Sequence, residues 1–134
     1  MNSLKSLVIL AAVTFLASGL FVLNAQPGAP TRNVLTKQDL ADLPGREGVV
    51  AKVDFAPGAK ETKHTHPGDV LAYVQEGTLT LNIEGQPATT VKAGEVFFVP
   101  AGKVHWAENA GTTTAKTIAT FVVEKGKPLA SPAP

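Results

Sequence analysis

Gly94-Glu95-Val96-Phe97-Phe98-Val99-Pro100-Ala101-Gly102-Lys103-Val104-His105-Trp106-Ala107-Glu108-Asn109 joins two short apolar runs through a turn. Ala93-Gly94 leads into a strand over residues 95–99. Pro100-Ala101-Gly102 stops it, because proline fixes φ and glycine frees it. A second short strand follows over residues 104–107 and carries His105. Strand, tight turn, strand is the local grammar of an all-β domain.

The same grammar extends outward. Val49, Ala51, Val53 and Phe55 alternate with Val50, Lys52 and Asp54, the period of a half-buried strand. Pro57-Gly58 turns the chain. Residues 70–75 are mostly apolar, and Glu76-Gly77 ends them. Leu79, Leu81 and Ile83 share one face of the next strand, which Glu84-Gly85 closes. Residues 89–91 form a short strand, and residues 114–123 the last and longest. Upstream, residues 36–40 read as a single helical turn capped by Thr36 and ended by Pro44-Gly45. About eight strands without an amphipathic helix imply a sandwich or barrel, either a jelly roll or an immunoglobulin-like fold.

The chain has three histidines, two of them in His64-Thr65-His66. Side chains two apart on a strand point to one face, so both imidazoles can converge on one ion. His105 joins them if a closed barrel brings its strand alongside. A lone strand histidine is usually a packing or surface residue, and a His-x-His pair by itself is weak evidence. The spacing around it carries more.

Gly58, five residues, His64-Thr65-His66, then Gly77 resembles the first motif of the cupin family. Gly94, five residues, Pro100-Ala101-Gly102, two residues, His105, three residues, Asn109 resembles the second at every fixed position. The likeness is to a small single-domain cupin of the type-2, quercetin-dioxygenase-like kind and covers roughly residues 46–124. It implies a jelly-roll (double-stranded β-helix) barrel with His64, His66 and His105 as metal ligands. The ion would be a divalent transition metal: Fe, Zn, Cu, Ni or Mn. Asn109, the glycines and Pro100 read as turn chemistry.

One position departs from the family. Cupins usually supply a glutamate ligand four residues after the second histidine, where this chain has Val70. Adjacent Asp69 points to the opposite face unless the Pro67-Gly68 turn rotates it inward. Without the carboxylate, an ion on three neutral imidazoles keeps its full charge, which favours anionic or chelating ligands and disfavours hard ions such as Mn(II). Three histidines with an open position still suffice for zinc enzymes, and some cupin dioxygenases are similar in using histidines alone.

Other residues have blander readings. Trp106 and Tyr73 could line a pocket but read more readily as core. Phe97, Phe98, Val99 and Phe121 are assigned to the core, and Gln75 to a pocket or an edge. Glu95 and Glu108 could act as acid or base, and a solvated position is the simpler reading. The mature chain's one serine, Ser131, lies in the tail, and no helix is expected for a phosphate-binding loop to open.

Residues 1–25 read as a signal peptide: Lys5, an uncharged apolar run over residues 7–23, then Asn24-Ala25-Gln26-Pro27. Ala25 is the expected last residue removed, with Ala17-Ser18-Gly19 as another cut. The alternative is an uncleaved membrane anchor over residues 7–23. Residues 26–45 form a linker and N-terminal arm, 46–124 the barrel, and 125–134 an extended proline-rich tail. The chain has no cysteine, which excludes disulfides and a lipidated cysteine. Loss of Lys5 leaves 11 basic against 11 acidic residues, a neutral domain with no case for nucleic acid.

The expectation is therefore an exported, periplasmic cupin: a metal-dependent oxygenase on a small molecule, or a non-catalytic module that binds a small ligand or a metal. A structural dimer with incidental histidines is a third reading. A homodimer is expected under all three, since exposed strand edges must be covered.

Overall fold

The computed structural model describes residues 28–134. The segment read as an export signal or anchor lies outside them. Ten strands run β1 (Thr31–Asp39), β2 (Arg46–Phe55), β3 (His64–Thr65), β4 (Gly68–Glu76), β5 (Thr78–Ile83), β6 (Thr89–Lys92), β7 (Val96–Val99), β8 (His105–Glu108), β9 (Ala115–Glu124) and β10 (Ser131–Pro132). They form two antiparallel five-stranded sheets, ordered β1-β2-β9-β4-β7 and β10-β3-β8-β5-β6. The pairs are nested: β5 with β6, β4 with β7, β3 with β8, β2 with β9. A long hairpin folded over on itself gives that order. It is a jelly roll, and the immunoglobulin-like alternative falls away.

Period-two patterning sets the register. Val49, Ala51, Val53 and Phe55 of β2 face inward, as do Ala115, Thr117, Ala119, Phe121 and Val123 of β9. Each buried Val or Phe contributes about 1.5–3 kcal/mol. A one-residue slip of β9 would turn Lys116 and Glu124 into the core, so this register wins by a wide margin. Gly77 makes the β4–β5 turn with φ of 75°, and a Cβ there would lie 2.9 Å from Ala115 Cα. Asn109 is buried and braces a turn as expected: its Nδ2 donates to Phe55 O (2.9 Å) and Thr113 O (2.8 Å), and its Oδ1 accepts from Gly111 N.

Several expectations need correction. Residues 36–40 do not form a helical turn. Residues up to Asp39 belong to β1, which pairs with β2 from Thr31↔Asp54 to Asp39↔Glu47. An isolated helical turn is costly to nucleate, whereas β2 offers a full edge of backbone partners. Lys37 also reaches buried Glu47 at 3.0 Å. Phe98 and Tyr73 are not core residues: they are 49% and 46% exposed. Their strands put Val70, Ala72, Val74 and Val99 inside, so Leu71, Tyr73, Val96 and Phe98 face out. Val99 and Phe121 are core as assigned, and Phe97 is half-buried against it. Trp106 is half-buried on the outer face of β8, beneath the Lys60 and Lys63 ammonium groups at 6.0 and 5.6 Å.

Candidate functional site

The three histidines converge. His64 opens β3, His66 follows it, and His105 opens β8 directly across from His64 in the ladder. Parity and pairing do the work: two residues apart puts His64 and His66 on one face, and the rung adds His105. The ring centroids lie 4.3–4.9 Å apart, the candidate ligand atoms lie within 4.8 Å of one another, and all three residues are buried.

Backbone carbonyls fix how the rings present themselves. Nδ1 of His64 donates to Thr62 O (2.8 Å), that of His66 to Leu129 O (2.6 Å), and that of His105 to Lys103 O (3.0 Å). A carbonyl can only accept, so each Nδ1 carries a proton, and Nε2 is the ring nitrogen left to act as a ligand atom. The His64 Nε2 is buried with no hydrogen-bond partner among the described residues. Orienting the second imidazole nitrogen in this way is what a metal-ligating histidine needs. The donor set therefore suits a divalent ion of the borderline kind, such as zinc.

Burial also keeps two of the rings, His66 and His105, neutral. His66 and His105 both have their pKa lowered to about 4, chiefly by desolvation, against the carbonyl bonds that raise it. An unfolded imidazole gains its proton near pH 6.5, while these two in the fold gain theirs near pH 4. Between those values the unfolded chain binds more protons, so the fold loses stability as pH falls. Metal-free protein is expected to lose on the order of a few kcal/mol between pH 7 and pH 4. Urea titrations across that range check it, and a midpoint that stays flat from pH 7 to 4 contradicts it.

Among the described residues, no carboxylate joins the three rings. Val70 is buried and lines the same lumen, while Asp69 is exposed and accepts from Ala101 N at 2.9 Å. The Pro67-Gly68 turn does not rotate Asp69 inward. Glu95 is exposed and accepts from Lys92 N, and Glu108 pairs with Lys60 at 3.6 Å, so neither approaches the rings. Gln75 is exposed, beside a register shift in the β4–β9 ladder.

Two charged residues at the lumen escaped the reading of the sequence. Glu61 keeps one oxygen on Ala107 N (2.9 Å), and burial raises its pKa against the lowering pull of His64, the Ala107 bond and Arg32. Arg32 reaches in from β1, with Nη2 3.8 Å from Glu61 Oε1 and its guanidinium 5.9 Å from the Phe121 ring. Reading residues 31–39 as a strand would have brought Arg32 to this mouth. Glu61 sits in a loop, where no periodicity points a side chain anywhere. The C-terminal tail was also underread. β10 pairs with β3, Ala133 N donates to Lys63 O, and Leu129 O holds His66. Ala130, Ser131 and Pro132 wall an outer cavity of about 310 Å³ that His64, Arg32 and Glu61 also line. The lumen beyond is narrow, about 30 Å³, and mostly apolar.

Comparison with known proteins agrees with this fold. The Cupin domain family matches residues 51–123. Oxalate oxidase 2 of Hordeum vulgare is 32% identical over 118 residues, covering 80% of this chain and 53% of that one. Putative germin-like protein 3-2 of Oryza sativa subsp. japonica is 37% identical over 97 residues, covering 66% and 44%. The chain thus spans about half the length of the curated relatives it matches. Among solved structures, a Klebsiella pneumoniae protein with a double-stranded β-helix domain superposes with a TM-score of 0.64 at 23% identity, covering 77% and 85%, a likeness of fold alone. An oxalate oxidase in complex with the substrate analogue glycolate superposes at 0.57 with 30% identity, covering 72% and 53%.

Proposed function

The chain belongs to the cupin domain family, and from that premise we propose that it is a metal-dependent enzyme that oxidises a small molecule with dioxygen. The single observation that carries this is the set of three buried imidazoles, each with its Nδ1 on a carbonyl and with candidate ligand atoms within 4.8 Å of one another. His64, His66 and His105 would hold one divalent transition-metal ion. Such an ion supplies Lewis acidity and, where it is redox active, an electron path between a small molecule and dioxygen. The protein's part is to fix three neutral donors, to exclude bulk water with Phe97 and Phe121, and to admit ligand past Arg32 and Glu61. Relatives named as oxalate oxidases, one with glycolate bound, support a small oxygen-rich substrate.

A second reading has its own observation. Val70 occupies the position of the family's usual glutamate, which favours a non-catalytic cupin that binds a small ligand or a metal. Oxygen uptake separates the two. Protein loaded in turn with iron, copper, nickel and manganese is offered oxalate, glycolate, diketones, flavonoids and thiols. Metal-dependent uptake with one of these is the expected result. No uptake by loaded protein with any of them overturns the enzyme and leaves the binding module.

Two further points accompany the proposal. Residues 1–25 direct export to the periplasm, so the mature chain recovered there begins at Gln26, whereas retention of residues 7–23 with the membrane fraction would mark an anchor instead. The protein pairs with a second copy through Leu71, Tyr73, Val96 and Phe98. These are 45–60% exposed on one face that includes β7, the edge strand of its sheet among the described residues. Self-pairing hides both that face and that edge, given about 800 Å² per partner. Light scattering on the same sample then reads twice the chain mass, and a reading at one chain mass contradicts it.

A further inference from the structure

The charges at the mouth of the barrel do not balance if the histidines hold a divalent ion. Three imidazole donors bring no negative charge to cancel any of it, and Val70 stands where the usual carboxylate would. Glu61 and Arg32 cancel one another across 3.8 Å. Two positive charges would remain among Phe55, Leu81, Phe97 and Phe121, in surroundings that solvate charge poorly. A doubly negative ligand removes that penalty, and a neutral one does not.

Arg32 is placed to take part. It lines both the outer cavity and the lumen, and it is the one Lys or Arg lining either among the described residues. Its separation from Glu61 exceeds hydrogen-bond length, so the fork of N–H donors is not committed to that partner. The guanidinium lies 5.9 Å from the Phe121 ring, and the His66 ring lies 5.0 Å from the same phenyl. The anion anchor and a candidate ligand thus lie against the same phenyl ring, and Arg32 shares the lumen lining with all three histidines. A guanidinium fork matches a carboxylate through two parallel hydrogen bonds.

We propose that Arg32 is the specificity-determining residue of this site, binding the outer carboxylate of a small dicarboxylate whose inner carboxylate faces the three histidines, with Glu61 as its counter-ion until the ligand arrives. This rests on the metal-binding reading above. Glu61 is fixed for that role. Its second oxygen is held by Ala107 N, so it can yield Arg32 without leaving its place. The arriving ligand passes the outer cavity, where Arg32 is the first charge of opposite sign that it meets.

Zinc-loaded protein tests this by calorimetry, since zinc has no redox chemistry and nothing turns over. The probe is malonate, with malonamide as its neutral isostere. Wild type is expected to bind malonate and not malonamide. Arg32→Gln is expected to keep its zinc and bind malonate roughly tenfold or more weakly, with Arg32→Lys between the two. Glu61→Gln keeps an acceptor for Ala107 N and removes the competing charge, so it is expected to bind malonate several-fold more tightly. A purely structural role would not move the two variants in opposite directions. Zinc-loaded wild type that binds no malonate, or binds malonamide equally well, overturns the inference, as does unchanged affinity in Arg32→Gln. A Glu61→Gln variant that fails to tighten removes the counter-ion role. Wild type that takes up no zinc overturns the metal reading itself, a distinct failure.

Discussion

His105→Ala is expected to weaken zinc binding by more than ~100-fold while leaving the metal-free protein folded. Changing a partner behind a metal ligand typically costs 10–100-fold, and loss of the ligand itself should exceed that range. The remaining pair, His64 and His66, come from one short stretch and cannot enclose an ion alone. His105 supplies the donor from the opposite strand, locked by the His64↔His105 rung and by Lys103 O. The stability cost should be modest, because the substitution also removes a desolvated imidazole whose pKa is held near 4. Competition against a chromophoric chelator reads the affinity, and a urea titration of metal-free protein reads the fold. Unchanged zinc affinity would mean that His105 is a packing residue. Lost affinity in an unfolded variant would assign it a structural role only.

Gly68→Ala is expected to destabilise the protein by about 3 kcal/mol or more, at the severe end for one methyl group. A Cβ at Gly68 would overlap Val122 O and stand 2.6 Å from Val123 Cα. Both neighbours are backbone of β9, in the middle of its sheet, so no flexible side chain can swing away. Relief requires β4 to move off β9. That shift lies between His66 and Val70, so the ring geometry of His66 should be disturbed as well. Equilibrium urea unfolding measures the loss. A change below ~1 kcal/mol would show that the close β4–β9 approach is not needed. Alanine at Gly94, where a Cβ meets nothing within 4 Å, offers a contrast in which positive φ alone acts.

Much of this architecture is readable from the residues, for reasons that also mark the limits. β2, β5 and β9 announce themselves because one face is apolar and the other polar, which only a strand period explains. The histidines are legible for the same reason. His64 and His66 share parity, and parity also separates inward Val70 from outward Asp69. The runs containing Tyr73 and Phe98 are apolar on both faces. Alternation then cannot say which residue faces in, and both were assigned inward when they face out.

What the sequence hides is what depends on a distant partner. β1 exists because β2 offers an edge, and β10 because β3 does. Neither has an apolar face of its own: β1 is exposed along its whole length. Arg32 and Leu129 come to the site on those two borrowed strands. Glu61 is there because a loop bends to Ala107 N. The convergence of the three histidines was thus legible from spacing, and the charged mouth around them was not.

The proposed chemistry requires that His64, His66 and His105 together hold an ion. Elemental analysis of protein purified without chelator, beside a His64→Ala variant, tests it most directly. About one transition-metal ion per wild-type chain is expected, and a small fraction of that in the variant, as loss of one of three ligands requires. Metal absent from wild type even after reconstitution, or retained in full by the variant, would contradict it.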